Sequence, residues 1–200
     1  MAPRNVDQNR QIQDERREQI LNAALLVFAH RGFSGAKISD IASQAKLSHG
    51  LVYHYFKSKD ELFIELVKEA FRGSNGAIMM TDNLPGSAYN KIKIMTELML
   101  SAFSEKNESS YFFYLMLQAA TLDSVPEEVK ELLKQDSVTV SMLSKLILKG
   151  QLEGEIAEGD PLMLSITFWS FIEGLVLMKI QMGEEYIFPS AEIVLRIIKK

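Results

Sequence analysis

The chain reads as an all-α protein, with a three-helix N-terminal head carrying a helix-turn-helix and a larger helical body behind it. Three observations lead there. Apolar residues recur at helical spacing along almost the whole chain, with no convincing strand, internal repeat or low-complexity segment. Residues 37–63, KISDIASQAKLSHGLVYHYFKSKDELF, set two short helices around a tight turn and start a third at once. Charge is also divided. Residues 1–60 hold 9 Lys/Arg against 6 Asp/Glu and the remainder 13 against 20, although the net charge is only −4.

The first helix is expected over about residues 10–31, where Ile20, Ala23, Ala24, Val27 and Phe28 share an inner face and Gly32 supplies a stop. Ile41, Ala42 and Ala45 lie on one side of a second helix over 38–46. Leu47 and Ser48 break it, and Ser48 is a good N-cap for a third helix over 49–56. Ser58 and Glu61 have capping-box spacing for a fourth, running to about Phe71 or Arg72. Thr81 to Ser87, with Asn83, Pro85 and Gly86, is the clearest break in the chain. Helices over 88–106 and 109–122 follow, and Pro126 opens a long one ending near Gly150. A loop with Gly154, Gly159 and Asp160 leads into a helix over 161–182, and Pro189 opens a last short one.

The third helix is the informative one. Leu51, Val52, Tyr53, Tyr55 and Phe56 sit on a segment too short to be stable alone, so it must lean on its neighbour. Gly50 leaves little bulk at its start, and the outer face stays free to enter a groove, the layout of a helix-turn-helix reader of DNA. Gly32-Phe33, Asp40-Ile41-Ala42, Val52-Tyr53-His54-Tyr55-Phe56 and Ser58-Lys59-Asp60-Glu61-Leu62 follow one another in a specific order and spacing. In that run the chain resembles the tetracycline-repressor (TetR-like) family of bacterial transcription factors. The resemblance covers roughly the first third; beyond it only length and helical character agree. Three positions depart from the pattern: Lys46 stands where Gly is usual, Lys37 where Thr is usual, and Leu51 where Thr or Ser is frequent. A left-handed conformation at Lys46 would cost strain on the order of 1 kcal/mol, tolerable within a packed domain; Lys37 can still reach a phosphate, and Ser39 is the candidate to take over the capping that Thr would supply.

The resemblance implies a homodimeric regulator with a DNA-binding head over 1–58 and a regulatory body over 59–200. The expected partner is double-stranded DNA with a palindromic operator. The expected contact set is Lys37, Ser39, Ser48, His49, Gly50, Leu51, Tyr53, His54, Tyr55, Lys57 and Lys59. Gly50, Leu51 and His54 would face base edges, whereas Ser39 and Lys59 would serve the phosphate backbone at helix starts. Tyr53 fits either a phosphate or the core, and Val52 and Phe56 should be core against Ile41 and Ala42. The resemblance further implies a small apolar or amphipathic effector that shifts the helix at 59–72 and releases the operator. Repression is the family's usual outcome, and activation also occurs.

Composition narrows the alternatives. Two hundred residues at 47% hydrophobic content can bury a core without a metal or disulfide staple. The absence of cysteine fits a reducing cytoplasm, and the polar N-terminus lacks a signal-peptide core. His49 and His54 are five apart, with no carboxylate to complete a site, so no metal is expected. Ser48 and His49, as helical neighbours, point apart, and no acid, base and nucleophile converge; neither enzyme activity nor a cofactor is expected.

The stretch 161–182 is apolar nearly all round. Ser165, Thr167, Ser170, Glu173, Lys179 and Gln181 interrupt it too often for a membrane span, and no basic flank orients one. Burial on two sides explains it better, one side on its own core and one on a partner chain, with 126–150 alongside. Spacing leaves open which of Phe168, Phe171, Leu175 and Met178 face that partner. Phe103, Phe112, Phe113, Met116, Trp169 and Glu173 form the candidate ligand pocket, although such aromatic stripes are core by default. Control by a protein partner would replace this pocket with a surface groove, and a closed apolar cavity would favour the small ligand.

Overall fold

The computed structural model describes residues 6–82, 84–105, 107–134 and 137–200, with the backbone alone at 6–7, 74–79, 82, 107 and 137–138. Ten α-helices lie among these residues: α1 (Val6–Gly35), α2 (Ile38–Gln44), α3 (His49–Tyr55), α4 (Lys59–Asp82), α5 (Ala88–Glu105), α6 (Asn107–Thr121), α7 (Glu127–Leu133), α8 (Ser137–Leu152), α9 (Pro161–Met182) and α10 (Ala191–Leu195). A 3-10 turn, Gly183–Glu185, follows α9. The β-type pairing among the described residues is one isolated antiparallel bridge between Ile156 and Lys199.

Gly32 takes a left-handed φ of 66° and kinks α1, which then adds a further turn to Gly35. Two helices differ from expectation. The fourth runs on to Asp82 instead of ending near 72, since no proline stands before Pro85 and a single helical Gly73 costs only about 1 kcal/mol. The single helix expected from Pro126 to Gly150 is two, α7 and α8, because they serve different cores. Val129 of α7 packs with the head, whereas Leu143 and Ile147 of α8 pack within the body. Gln135 and Asp136, where the polar break falls in the sequence, lie outside the described residues.

The first core gathers Ile20, Phe28, Ile41, Val52, Phe56 and Phe63, and continues through Leu66 into Leu115, Ala119 and Val129. A boundary at 58/59 therefore does not separate two cores. The start of α4 is integral to the head, and α6 and α7 close the cluster from below. The second core joins α5, α8, α9 and α10 around Phe168, Ile172, Ile147 and Val194.

Helix α9 is long and apolar enough to cross a membrane by length and composition. In the fold it sits against α8, and the Ser165 hydroxyl donates to the Val140 carbonyl at 2.9 Å. Asp160 caps it, accepting from the backbone N–H groups of Leu162 (2.8 Å) and Met163 (3.2 Å), with Pro161 at the first turn. Its buried stripe is Ser165, Phe168, Ile172, Val176 and Lys179. Leu162, Met163, Ile166, Phe171, Leu177, Met178 and Met182 lie exposed away from that stripe, and Leu148 and Leu152 of α8 are exposed as well.

Candidate nucleic-acid interface

Helix α3 is held by its neighbours, as its length requires. The Ser48 hydroxyl accepts from the Leu51 N–H at 3.2 Å and caps it. Val52 and Phe56 are buried against Ile41 and Ala42. Between α2 and α3, Lys46 turns left-handed at φ 54°, as its place in the turn requires. Gln19 reaches in from α1, donating to the Ala45 carbonyl at 2.7 Å.

The opposite face of α3 is open. His49, Gly50, Tyr53 and His54 are exposed, and a Cβ at Gly50 would meet nothing within 4 Å. Tyr53 is 45% exposed, which removes it from the core. The His49 and Tyr53 rings meet edge to face with centroids 4.8 Å apart, making one aromatic ridge. Leu51 and Tyr55 are half-buried, and Tyr55 packs against the head core. Lys37, Ser39 and Lys57 are exposed around this face.

Two expected roles change. Ser39 does not cap α2: the Asp40 carboxylate accepts from the Lys37 N–H at 3.3 Å and is itself paired with Arg31 at 2.7 Å. Lys59 does not point freely outward. Its Nζ donates to the Phe33 carbonyl at 2.7 Å and stands 4.4 Å from the centre of the Phe33 ring. Both side chains brace the junction of α1 with the motif, as does Arg17, 5.2 Å above the Phe56 ring and paired with Glu65 at 3.1 Å. Partners 9 to 48 residues apart leave no periodic trace in sequence. The Ser58 hydroxyl accepts from the Glu61 N–H (3.0 Å), while the Glu61 carboxylate reaches the Lys57 N–H (2.7 Å), one residue earlier than a capping box requires.

The candidate ligand residues are not gathered around one cavity. Phe112 and Met116 pack on the first core, while Phe103, Phe113 and Trp169 pack on the second, with Phe103 and Phe113 edge to face at 5.5 Å. Burial raises the Glu173 pKa above its ordinary value. The Trp169 indole N–H is buried without a hydrogen-bond partner among the described residues. A small cleft of about 100 Å³ lies elsewhere, against Tyr111 and Lys179.

The family profile of the bacterial regulatory proteins, tetR family, matches residues 20–66, the segment that builds the braced motif. Over that segment the chain is TetR-like. Its head is 36% identical over 77 residues to the transcriptional repressor NicS of Pseudomonas putida, covering 38% of this chain and 36% of that protein. The Fatty acid metabolism regulator protein of Bacillus subtilis is 27% identical over 141 residues, 70% of this chain and 71% of its own length. The fold matches the B. subtilis transcriptional regulator FadR in complex with stearoyl-CoA, with a TM-score of 0.62 at 20% identity, over 90% of this TetR-like chain and 94% of that one. At 20% identity that structural likeness is one of fold alone.

Proposed function

We propose that this transcriptional regulator is a homodimeric repressor that reads a palindromic operator through α3 and leaves it when a small effector enters the body. The outer face of α3 carries the reading. A rigidly seated helix presents Gly50 and His54 with no bulk between them and a groove, and Lys37 and Lys57 stand free on either side for phosphates. Ser48, His49, Leu51, Tyr53 and Tyr55 complete the surface, whereas Lys59 acts as a brace. Such a protein works in the bacterial cytoplasm and needs no catalytic group.

The exposed apolar stripe of α9, flanked by α8, is the self-association face. Pairing with a symmetry mate covers it through an isologous contact, and two heads on one two-fold axis require a palindrome. Helix α4 runs unbroken from the head into the body, roughly 36 Å for 24 residues. A shift at its body end tilts the head and changes the spacing of the pair. The names of the B. subtilis relative and of the stearoyl-CoA complex support a fatty-acyl compound as the effector class. A second reading, control by a protein partner, draws on the close packing of Phe103, Phe113 and Trp169 where a pocket was expected.

Selection on random duplexes with the ligand-free protein at low salt tests the proposal. The expected product is a symmetric site with half-sites about one helical turn apart or slightly more, bound with an affinity that falls steeply with salt. Recovery of no symmetric site rejects it.

A further inference from the structure

Helix α1 is longer than the head it serves. It starts at Val6, yet its buried residues begin at Ile20, and none of residues 8–19 joins the core. Contacts fix the direction of this free stretch. The C-terminal half of α1 lies against the body: Gln118 donates to the Ala29 carbonyl at 3.4 Å, Tyr111 meets the His30 ring at 5.5 Å, and Ser124 reaches Ser34 at 2.8 Å. Nearer its start the helix passes the motif. Gln19 holds the Ala45 carbonyl just before the turn at 2.7 Å, and Arg17 stands over Phe56 at the end of α3. Residues 8–16 therefore continue past the motif and away from the body.

The faces of this stretch are sorted. Buried Ile20, Ala23 and Val27 form a line in steps of three and four residues, and the same steps run back through Arg16, Gln13 and Asn9. The side of α1 that covers the head thus carries on beyond it as one cation and two amides, all exposed. Gln11, Asp14, Glu15 and Glu18 fall on the opposite side, with Arg10 at its edge, and Gln11 donates to Glu15 at 3.1 Å. Arg16 is also anchored. Its guanidinium donates to Gln19 Oε1, and Gln19 passes the link to Ala45, beside the exposed Lys46 of the turn.

We propose that this stripe is a second contact with the operator duplex, in which Arg16, Gln13 and Asn9 lie along the phosphate backbone flanking the bases that α3 reads. Charge complementarity decides the partner. The stripe turns N–H donors toward the side where the motif docks, while the carboxylates point away from it. Continuity decides the place, since Gln19 ties Arg16 to the residue that precedes the turn into α3. From Ile20 back to Asn9 the helix rises about 16 Å, enough to follow up to roughly five phosphates of one strand. Such contacts add affinity and fix register but carry no base information. The inference rests on the regulator reading above and deepens it.

Fluorescence anisotropy of the full-length protein on the selected duplex, across a salt series, tests the stripe. Gln13→Glu and Gln11→Glu add the same charge two residues apart on opposite faces. Gln13→Glu should weaken binding roughly 10-fold more than Gln11→Glu, since both heads of the dimer lose a contact. Arg16→Ala should weaken it by a similar factor and flatten the slope of log affinity against log salt by roughly one for each bound head. Neither should change the sequence that selection recovers. Gln13 takes no part in the Gln19 link, so its variant separates a lost contact from a loosened turn. Equal losses for Gln13→Glu and Gln11→Glu, an unchanged salt slope for Arg16→Ala, or a changed recovered sequence overturns the assignment. A lower mass of Gln13→Glu in light scattering would make the stripe a contact between protein chains and overturn it as well. If the wild type binds no duplex, the regulator reading falls and takes this inference with it; if wild type and variants bind alike, only the inference falls.

Discussion

Met178→Glu isolates the self-association face. Met178 is 42% exposed on α9, on the side away from the buried Phe168 and Val176. Methionine and glutamate have nearly equal helix propensity, so the isolated chain should tolerate the exchange with a change below about 1 kcal/mol. In an isologous dimer every substitution occurs twice, and each buried carboxylate without a partner costs several kcal/mol. At about 3 kcal/mol per copy the dimer loses about 6 kcal/mol, roughly a 10⁴-fold rise in its dissociation constant. Light scattering at micromolar concentration reads the mass, and operator binding should disappear with the dimer, because one head supplies half the contacts. Leu98→Glu, at a 63% exposed position on α5, serves as the control and should leave the mass unchanged. A Met178→Glu protein that remains dimeric at micromolar concentration, or a wild type that is monomeric there, refutes the assignment of this face.

Lys57→Ala should weaken binding to all duplexes about equally and flatten the slope of log affinity against log salt by roughly one, whereas His54→Ala should alter preference at particular base pairs; paired selections and salt titrations distinguish them. Lys59→Ala should lower head stability by about 1 to 3 kcal/mol through loss of its bond to the Phe33 carbonyl, read as a lower melting temperature, where a simple phosphate contact would leave melting unchanged. Glu173 has a folded pKa raised by burial, so the native state holds its proton more tightly than the unfolded chain. Its contribution to stability is therefore fullest when protonated and is lost as pH rises from about 4.5 through the raised value. Glu173→Gln should melt higher than the wild type at neutral pH, with the gap closing as pH falls; a gap constant across pH would dismiss this account.

The head was legible in sequence because its signals are local. Ser48 stands at its cap position, Val52 and Phe56 on one face and Lys46 in the turn, and each relation spans a few residues of one helix or turn. Ends of helices without strong stop residues were harder: α4 passes through Gly73, whose cost of about 1 kcal/mol packing can overcome. The division of 126–150 into α7 and α8 was hidden for a different reason. Val129 and Leu143 are both apolar, and only the fold shows that they enter separate cores.

Sequence by itself determined the all-helical class, the braced motif at 37–63 and a helix at 161–182 with more apolar surface than one core can cover. Tertiary structure alone decided which side of that helix is core, placing Phe168 inside and Phe171 and Met178 outside. It also turned Lys59 toward Phe33, split the six candidate ligand residues between two clusters, and brought Lys179 beside Tyr111. The physical reason is range. Helical periodicity and capping act over three or four residues and are written in the order of the chain. Which residues line one cleft from positions 68 apart is set by how helices pack, and no local spacing records it.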